Sequence, residues 1–581
     1  EELKFMEAQI KNCQNCQKDF TIESEDFNFY EKIKVPSPTF CPECRMIRRM
    51  SWRNERTYYK RKCSAPGHKE EIISLYEPNA PFTIYDQKYW WGDKWNSMDY
   101  GKDYDFSKPF FEQYEELLRK IPFLALSNTQ AINSDYCSSA AYNKDCYLLT
   151  AGGWNEKVLY SNRPAKNKNS MDLYIVDNSE LCYDSLYCSR CYKLFFSKEC
   201  EGCSDSMFLY NCKNCQNFFG CANLRGKNYC FFNKQFTKNE YEKKINESNL
   251  GNRNSVQLIK EKFYNEIYLK MVHKYSNLVN SKDSTGDHLH NTRNCHECYD
   301  FPGDNNENCK FVDWGGFSAK DLYDTGPGVG WNTELAYEGV DDNDDFNIIG
   351  CIVCYGSNGC FYSAYIQGSS NIFGCYGLHS KQYCILNKQY TKEEYEELVP
   401  KIIQHMNDMP YIDSKGRIYK YGEFFPPELS PFCYNETIAQ EYFPLTKEEA
   451  LNQGYKWKEK EERNYTIDIK NEDIPNDIKE VDDSIINKVI ECEHKGTCNE
   501  QCTEAFKIIP DELSFYKRMN LPLPHLCPNC RHYNRLKQRN PLKLWHRKCM
   551  KPNCPNEFET PYAPDRPEIV YCEKCYNQEV Y

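Results

Sequence analysis

The sequence has no long apolar run, little histidine and no familiar catalytic motif. No stretch of about 18 apolar residues occurs, which argues against a membrane-spanning helix. The first residues, Glu-Glu-Leu-Lys-Phe-Met-Glu, lack the basic and apolar regions of a secretion signal, so we expect a cytoplasmic location. Only 11 of 581 residues are histidine, and glycine-rich phosphate loops, nucleophile elbows and His-Glu-x-x-His segments are missing. We therefore expect a protein that is not an enzyme.

Cysteine, by contrast, is frequent and often paired. The chain has 34 cysteines, many in Cys-x2-Cys pairs, and without a secretion signal this favours metal-bound thiolates over disulfides. The last hundred residues align with the first hundred when their numbers are lowered by 486. For example, Cys527-Pro-Asn-Cys530 falls on Cys41-Pro-Glu-Cys44. The register continues well beyond this motif, so the same module occurs at both ends.

The paired cysteines have the spacing of zinc ligands. A structural zinc ion takes four thiolate or imidazole ligands in a tetrahedron, and two tight turns with two cysteines each supply them. The spacing predicts about three structural zinc ions per chain, each without an open position for substrate. The predicted ligands are Cys13, Cys16, Cys41 and Cys44 in the first site, Cys498, Cys502, Cys527 and Cys530 in the second, and Cys549, Cys554, Cys572 and Cys575 in the third.

A fourth site is incomplete. The shift of 486 maps the third zinc site onto Cys63, His68, Asp86 and Tyr89 of the N-terminal module. Asp86 is a possible ligand, but tyrosine is a poor one, and further aromatic residues follow it. We expect that this site has lost its metal and become an aromatic cluster.

Both modules are strongly basic after the Cys-Pro-x-Cys knuckle. Arginine recurs there at every fourth position, which on a helix gives a stripe of guanidinium groups suited to phosphate. The alternative is that these side chains are solvated or pair with the chain's own acidic segments, such as residues 341–345 or Glu461 and Glu462. The predicted nucleic-acid contacts are Arg45, Arg49, Arg53, Arg61, Lys62, Arg531, Arg535, Arg539, Arg547 and Lys548.

The middle of the chain is repetitive. Residues 217–241 resemble residues 371–395, and the pairs Cys188/Cys191, Cys200/Cys203 and Cys212/Cys215 recur every 12 residues. Short strands with polar turns at this period predict a β-solenoid in two halves. We expect its cysteines to be reduced and buried, with metal-bound or disulfide-linked cysteines as alternatives. The acidic segments 304–306 and 341–345 are expected to be solvated turns.

Helix signals close each half of the repeat. Thr237-Lys-Asn-Glu240 and Thr391-Lys-Glu-Glu394 are capping boxes. Further helices are predicted at 108–120, 255–275 and 447–453, and a mobile charged linker at 456–488. The predicted fold is mainly β with some α, with zinc-ribbon-like modules at both termini flanking a central repeat β-solenoid. The predicted domains are 1–92 (N-terminal zinc-binding module), 93–125 (helical connector), 126–236 (first solenoid half), 237–285 (helical cap), 286–390 (second solenoid half), 391–490 (helical cap and charged linker) and 491–581 (C-terminal zinc-binding module).

The terminal modules also share a longer pattern. Cys-Pro-x-Cys-Arg is followed by spaced arginines, Arg-Asn, Arg-Lys-Cys and Tyr-x-Pro-x-x-Pro, the last at Tyr76 to Pro81 and Tyr562 to Pro567. With the central Asn-Lys-Gln-aromatic segment, this pattern resembles uncharacterised cysteine-rich tandem zinc-ribbon proteins of candidate-phylum bacteria. The resemblance implies the same architecture and a cytoplasmic bacterial setting. It implies no particular activity.

These patterns favour a non-enzymatic zinc-binding scaffold whose basic terminal modules bind nucleic acid, most readily RNA or the ribosome. The net charge of -12 is the sum of two basic segments and a more strongly acidic remainder in the repeats and the linker. The first alternative is a protein-only structural or assembly component with a solenoid interaction surface. A carbohydrate-active solenoid enzyme is the second, because the many tyrosines suit sugar stacking. No membrane partner is expected.

Overall fold

The computed structural model describes residues 7–460 and 465–581. The predicted acidic partners Glu461 and Glu462 lie outside these residues. The architecture is mainly strand with shorter helices, as predicted. Within the described ranges, the helices are all too short or too polar to cross a membrane.

A ladder of strands forms the first half of the centre. Its strands are parallel up to the last one, and neighbours pair twelve residues apart, as Met171 with Tyr183 and Gln216 with Asn228. Short parallel pairs, Asn128–Thr129 with Ala140–Ala141 and Cys137–Ser138 with Leu149–Thr150, precede it. The ladder comprises Glu156–Leu159, Lys168–Asp177, Tyr183–Ser189, Tyr192–Phe195, Ser204–Met207, Gln216–Phe219, Asn228–Phe231 and the antiparallel Lys234–Gln235.

A second ladder forms the other half. Its parallel neighbours pair 12 to 14 residues apart, as Phe346 with Asn358 and Thr292 with Asn306. Two smaller parallel sheets accompany it, one of Leu278–Val279, Gly286–His290 and Cys298–Phe301 and one of Ile352–Tyr355 and Ala364–Gln367. The second ladder comprises Thr292–Arg293, Asn306–Glu307, Lys310–Val312, Lys320–Thr325, Glu334–Tyr337, Phe346–Ile349, Asn358–Phe361, Ser370–Phe373, Gln382–Ile385 and the antiparallel Lys388–Gln389.

The backbone of both ladders turns at short, regular intervals. Nearly every third residue has a left-handed conformation, for example Lys193, Phe196 and Glu199 with φ of 51°, 52° and 57°. Such residues change the chain direction, so a twelve-residue repeat turns several times before it returns to its neighbour. Cysteine and aliphatic side chains fill the interior. As predicted, the ladder cysteines are free and buried.

Polar side chains inside the ladders bind the next repeat. The Oδ1 atoms of Asn143 and Asn155 each accept a hydrogen bond of 3.0 Å from the backbone N–H twelve residues later. In the second ladder Asp342 and Asp345 have this role, and they accept from Cys354 and Ser357 at 2.9 and 2.6 Å. The prediction of solvated turns is therefore wrong for these aspartates, which are 0% and 2% exposed. It is also wrong for Asn306, which is 0% exposed. A buried N–H needs an acceptor, and these side chains provide it.

The helices lie mainly at the ends of the ladders and in the terminal modules. Both predicted capping boxes are present at Thr237 and Thr391, and Thr446 forms a third. The helix predicted at 255–275 begins at Arg253 and ends at Glu266, because a strand follows that pairs with the C-terminal module. The helices are Asp26–Ile33, Pro42–Met50, Gln87–Trp90, Phe110–Leu118, Lys238–Glu247, Arg253–Glu266, Lys392–Asp408, Ile438–Tyr442, Lys447–Asn452, Pro510–Met519, Pro528–Leu536 and Glu573–Val580.

The prediction of a mobile linker at 456–488 is wrong for most of this segment. Ile474, Ile478, Val481 and Ile485 are at most 6% exposed and pack with the C-terminal module. Three short 3-10 turns connect them. The prediction relied on the many charged residues and overlooked the apolar residue at every third or fourth position. That spacing is enough to bury one face of the segment.

Each terminal module contains two small hairpins. In the N-terminal module they are Gln9–Asn12 with Asp19–Ile22 and Tyr59–Lys62 with Glu71–Ser74. In the C-terminal module they are Ile490–Glu491 with Ala505–Phe506 and Trp545–Lys548 with Glu557–Thr560. The second hairpins correspond residue for residue at the shift of 486.

Candidate metal centres

The first four-cysteine group lies between a hairpin and a helix. Cys13 directly follows the strand Gln9–Asn12, and Cys16 lies in the turn after it. Cys41 caps the helix Pro42–Met50, and Cys44 lies in its first turn. Proline suits the first position of a helix, so the Cys-Pro-x-Cys sequence places both thiols on the same helix end. The four sulfur atoms lie within 4.8 Å of one another and could hold a metal ion.

The sulfur separations fit a tetrahedral metal and exclude disulfides. Metal–sulfur bonds of about 2.3 Å place the sulfurs about 3.8 Å apart, whereas a disulfide joins them at about 2.05 Å. The Cys16 and Cys41 sulfurs are 3.7 Å apart. The corresponding separations are 3.5 Å for Cys527 and Cys530 and 3.9 Å for Cys554 and Cys572. All three cysteine groups therefore have the geometry of a metal centre.

The second centre corrects one predicted ligand. The structure groups Cys492, Cys502, Cys527 and Cys530, and not Cys498, as the four-sulfur centre. Cys492 follows the strand Ile490–Glu491, as Cys13 follows its strand, and its sulfur accepts the Cys527 N–H at 3.2 Å. The loop between the first two ligands is longer here than in the N-terminal module. A constant shift of 486 therefore passed over Cys492 and assigned its role to the cysteine in the loop.

Cys498 lies beside this centre. Its sulfur is 3.8 Å from that of Cys530, and it forms a second ligand group with His494, Glu500 and Cys530. The His494 Nδ1 and Glu500 Oε2 atoms are 3.3 Å apart. The long loop thus adds a histidine, a cysteine and a carboxylate next to a ligand of the main centre.

The third centre agrees with the prediction. Cys549 follows the strand Trp545–Lys548, and Cys572 caps the helix Glu573–Val580. The Cys572 N–H donates to the Cys549 sulfur at 3.3 Å, and the Cys554 and Cys575 sulfurs are 3.5 Å apart. The three groups are consistent with about three metal ions per chain.

The N-terminal arginine stripe faces inward. Arg45 and Arg49 are 1% and 0% exposed on the helix Pro42–Met50. The Arg45 Nε lies 2.8 Å from Asp324, and an Arg49 nitrogen lies 2.9 Å from Glu338. Burial lowers the pKa of Arg45, but Asp324 together with Tyr30 and Tyr337 raises it by more, and the net shift is upward. The carboxylates belong to the second ladder, so the stripe fastens the module to the centre of the chain.

Arg53 continues this contact. It is 7% exposed, with Nε 2.7 Å from Glu55 and another nitrogen 3.0 Å from Asp341. The alternative that the arginines pair with the acidic segment 341–345 is thus confirmed at Asp341. Trp52, which directly precedes Arg53, is also buried.

The C-terminal stripe has the same arrangement against the first ladder. Arg531 and Arg535 are 8% and 1% exposed, and both bind Asp172, at 3.1 and 2.9 Å. Arg539 stacks on the ring of Tyr442, with 3.5 Å between the guanidinium carbon and the ring centre. A phosphate group cannot reach the buried guanidinium groups of Arg531 and Arg535, whereas Arg539 is partly buried.

The remaining predicted nucleic-acid residues lie nearer to solvent, apart from Arg61. Arg61 is 8% exposed and donates to the Glu77 carbonyl at 2.7 Å, whereas Lys62 is exposed. Arg547 is partly buried and donates to the Ala563 carbonyl at 3.2 Å. The Lys548 side chain is 81% exposed and lies 3.0 Å from Glu557. The prediction of a phosphate contact is therefore wrong for the buried Arg45, Arg49, Arg53, Arg61, Arg531 and Arg535.

Comparison with known proteins adds no assignment. No protein-family model matches the chain, and a search of curated proteins also finds no match.

Proposed function

We propose that the protein is a non-enzymatic, zinc-stabilised scaffold, a structural or assembly component in which two terminal modules clamp a central β-solenoid. The observation that carries the proposal is the inward orientation of both arginine stripes. Each stripe follows a Cys-Pro-x-Cys knuckle, and its guanidinium groups bind carboxylates of a parallel ladder. The N-terminal stripe binds Asp324 and Glu338, and the C-terminal stripe binds Asp172. The metal centre sets the direction of the helix, and the helix sets the direction of the arginines.

Zinc is the metal that the ligand chemistry favours. Four thiolates in a tetrahedron suit zinc, and such a closed site serves structure because it leaves no position for substrate. A structural zinc ion orders the turns that carry its ligands and contributes to the folding free energy of the module that holds it. We therefore expect the modules, and with them the clamps, to depend on zinc.

The acidic side chains of the ladders support a structural role. Glu338 binds Arg48 and Arg49, and Asp341 binds Arg53. These carboxylates are used in buried ion pairs that join the terminal module to the ladder. In the described part of the chain, no specific contact favours the carbohydrate-active alternative.

RNA binding is the second candidate, now restricted to the exposed cations. Lys62 and Lys548 occupy equivalent positions on the second hairpins of the two modules and point to solvent. If RNA binds, the Lys62→Glu and Lys548→Glu substitutions should abolish binding, with a steep dependence of the wild type on salt. Substitutions of the buried Arg49 and Arg535 should affect RNA binding only by destabilising the fold.

Chelation and nuclease treatment together test the proposal. Removing zinc should expose the terminal modules to protease, and re-adding zinc should restore resistance. Size-exclusion chromatography before and after nuclease should give the same elution volume and little absorbance at 260 nm for a protein-only scaffold. A chelated protein with unchanged protease resistance would contradict the proposal, and a nuclease-sensitive complex would favour the RNA alternative.

A further inference from the structure

We propose that Cys63, His68 and Asp86 bind a fourth divalent metal ion, zinc by the chemistry of the donors, with one coordination position left for an exchangeable ligand. This assignment goes beyond the three four-cysteine centres and beyond a purely structural role. It also replaces the expectation from sequence that the site has lost its metal.

The local architecture of this site is that of the third cysteine centre. The hairpin Tyr59–Lys62 with Glu71–Ser74 corresponds to Trp545–Lys548 with Glu557–Thr560 at the shift of 486. Asp86 caps the helix Gln87–Trp90 as Cys572 caps Glu573–Val580. The fold that positions four ligands in the C-terminal module is therefore intact here.

A backbone hydrogen bond repeats in the same way. The Asp86 N–H donates to the Cys63 sulfur at 3.3 Å, as the Cys572 N–H does to Cys549 at 3.3 Å. The N–H of Cys41 donates to Cys13 at 3.2 Å in the first centre. A bond from the helix-capping residue to the first cysteine is thus common to these metal centres, and the Cys63 site shares it.

The donor atoms converge on one point. The Cys63 sulfur is 3.3 Å from the Asp86 Oδ2, and the His68 Nδ1 is 2.9 Å from that oxygen. All three donors lie within 4.8 Å of one another. Among the described residues, the buried Nδ1 has no hydrogen-bond partner of suitable geometry. A thiolate, an imidazole and a carboxylate are a common ligand combination for zinc, and Zn²⁺ would balance the two negative charges.

Among the described residues, the fourth direction holds no buried protein ligand. Glu70 places Oε1 3.2 Å from the His68 Nδ1, but its side chain is 58% exposed and lies outside the group of donors within 4.8 Å of one another. Tyr89 takes the place of Cys575, packs its ring edge-on against His68 at 4.9 Å and donates its hydroxyl to the Lys94 carbonyl. Asp86 also lines a cavity of about 550 Å³ beside Lys60 and Gln87. Of the three ligands, Asp86 alone borders this cavity. Three protein ligands are typical of zinc sites that bind water or a small anion in the fourth position.

Metal content separates this proposal from the rest of the account. Zinc-loaded wild-type protein should contain one more zinc ion per chain than the Asp86→Asn and His68→Gln variants. Asn keeps the helix cap, and the Tyr89→Phe control should retain the full content. Equal content in wild type and both variants would overturn the fourth site and leave the cysteine centres standing, and the His68–Asp86 contact would then be an ion pair alone. A wild-type protein with no zinc would refute the scaffold proposal as well.

Cobalt spectroscopy tests the open position. In Co²⁺-loaded protein, azide should shift the visible bands of one metal equivalent in the wild type and of none in Asp86→Asn. The paired change Asp86→Cys and Tyr89→Cys should give a closed centre of three thiolates and the His68 imidazole, raise the thiolate-to-cobalt absorption and abolish the azide response. Wild-type bands that do not respond to azide would contradict the exchangeable position.

Discussion

Replacing Arg49 by methionine should destabilise the protein without acting on any bound nucleic acid. Arg49 is 0% exposed, and its guanidinium lies 2.9 Å from Glu338 and 3.5 Å from Asp324. Both carboxylates keep one other arginine, since Arg48 binds Glu338 at 2.7 Å and Arg45 binds Asp324 at 2.8 Å. Breaking a buried ion pair costs about 3–5 kcal/mol. Because Arg45 and Arg48 still bind these carboxylates, the expected loss in the free energy of unfolding lies near the lower end of this range, at about 3 kcal/mol.

Urea unfolding followed by tryptophan fluorescence measures this loss. Lys62→Met, an exposed cation of the same module, is the matched control and should change the free energy of unfolding by less than about 0.5 kcal/mol. The Arg49→Met, Glu338→Gln double variant should lose less than the sum of the two single losses, because it leaves no unpaired charge at this contact. An Arg49→Met protein as stable as the wild type would refute the buried-clamp interpretation. So would a variant that loses RNA binding while it keeps its stability.

Three further predictions follow from other parts of the structure. Cys492→Ser should lower the zinc content by one ion per chain, whereas Cys498→Ser should leave the four-cysteine centre loaded. Metal analysis of both variants checks this prediction. The reverse result would show that Cys498 is the ligand. Burial raises the pKa of Asp345 from its ordinary 3.8 to about 8, so the native state retains a proton that the unfolded chain releases. The contribution of Asp345 to stability should therefore be complete below about pH 4 and be lost as the pH rises to about 8, at about 1.4 kcal/mol for each tenfold difference in proton affinity. Asp345→Asn should flatten this decline in thermal unfolding between pH 4 and 8, and the exposed Asp344→Asn should not; identical profiles would contradict the assigned burial. Ile478→Asp should make the segment 465–488 sensitive to protease, because Ile478 is 5% exposed against the C-terminal module, whereas the nearby Lys479→Asp should not.

Much of the metal-binding geometry could be predicted from the sequence. Zinc ligands follow local turns, and a Cys-Pro-x-Cys knuckle places two thiols on one helix end whatever lies around it. The error at Cys498 arose because a loop insertion broke the constant shift between the modules. The cysteine directly after an apolar strand residue, Ile490 before Cys492, was the available signal.

The direction of the arginine stripes could not be predicted in this way. A stripe on a helix has the same spacing whether it faces solvent or a neighbouring element, and only the tertiary fold brings Asp172, Asp324 and Glu338 to it. The same holds for Asp345, whose burial follows from its position in a ladder and not from its neighbours in the sequence. Residues with long-range partners are where sequence patterns carry least information.

Zinc X-ray absorption, together with metal analysis of the purified protein, tests the central claim most directly. The account predicts at least three zinc ions per chain, with a first shell dominated by sulfur at about 2.3 Å. Fewer than three zinc ions in a fully loaded protein, or a first shell dominated by nitrogen and oxygen, would contradict it.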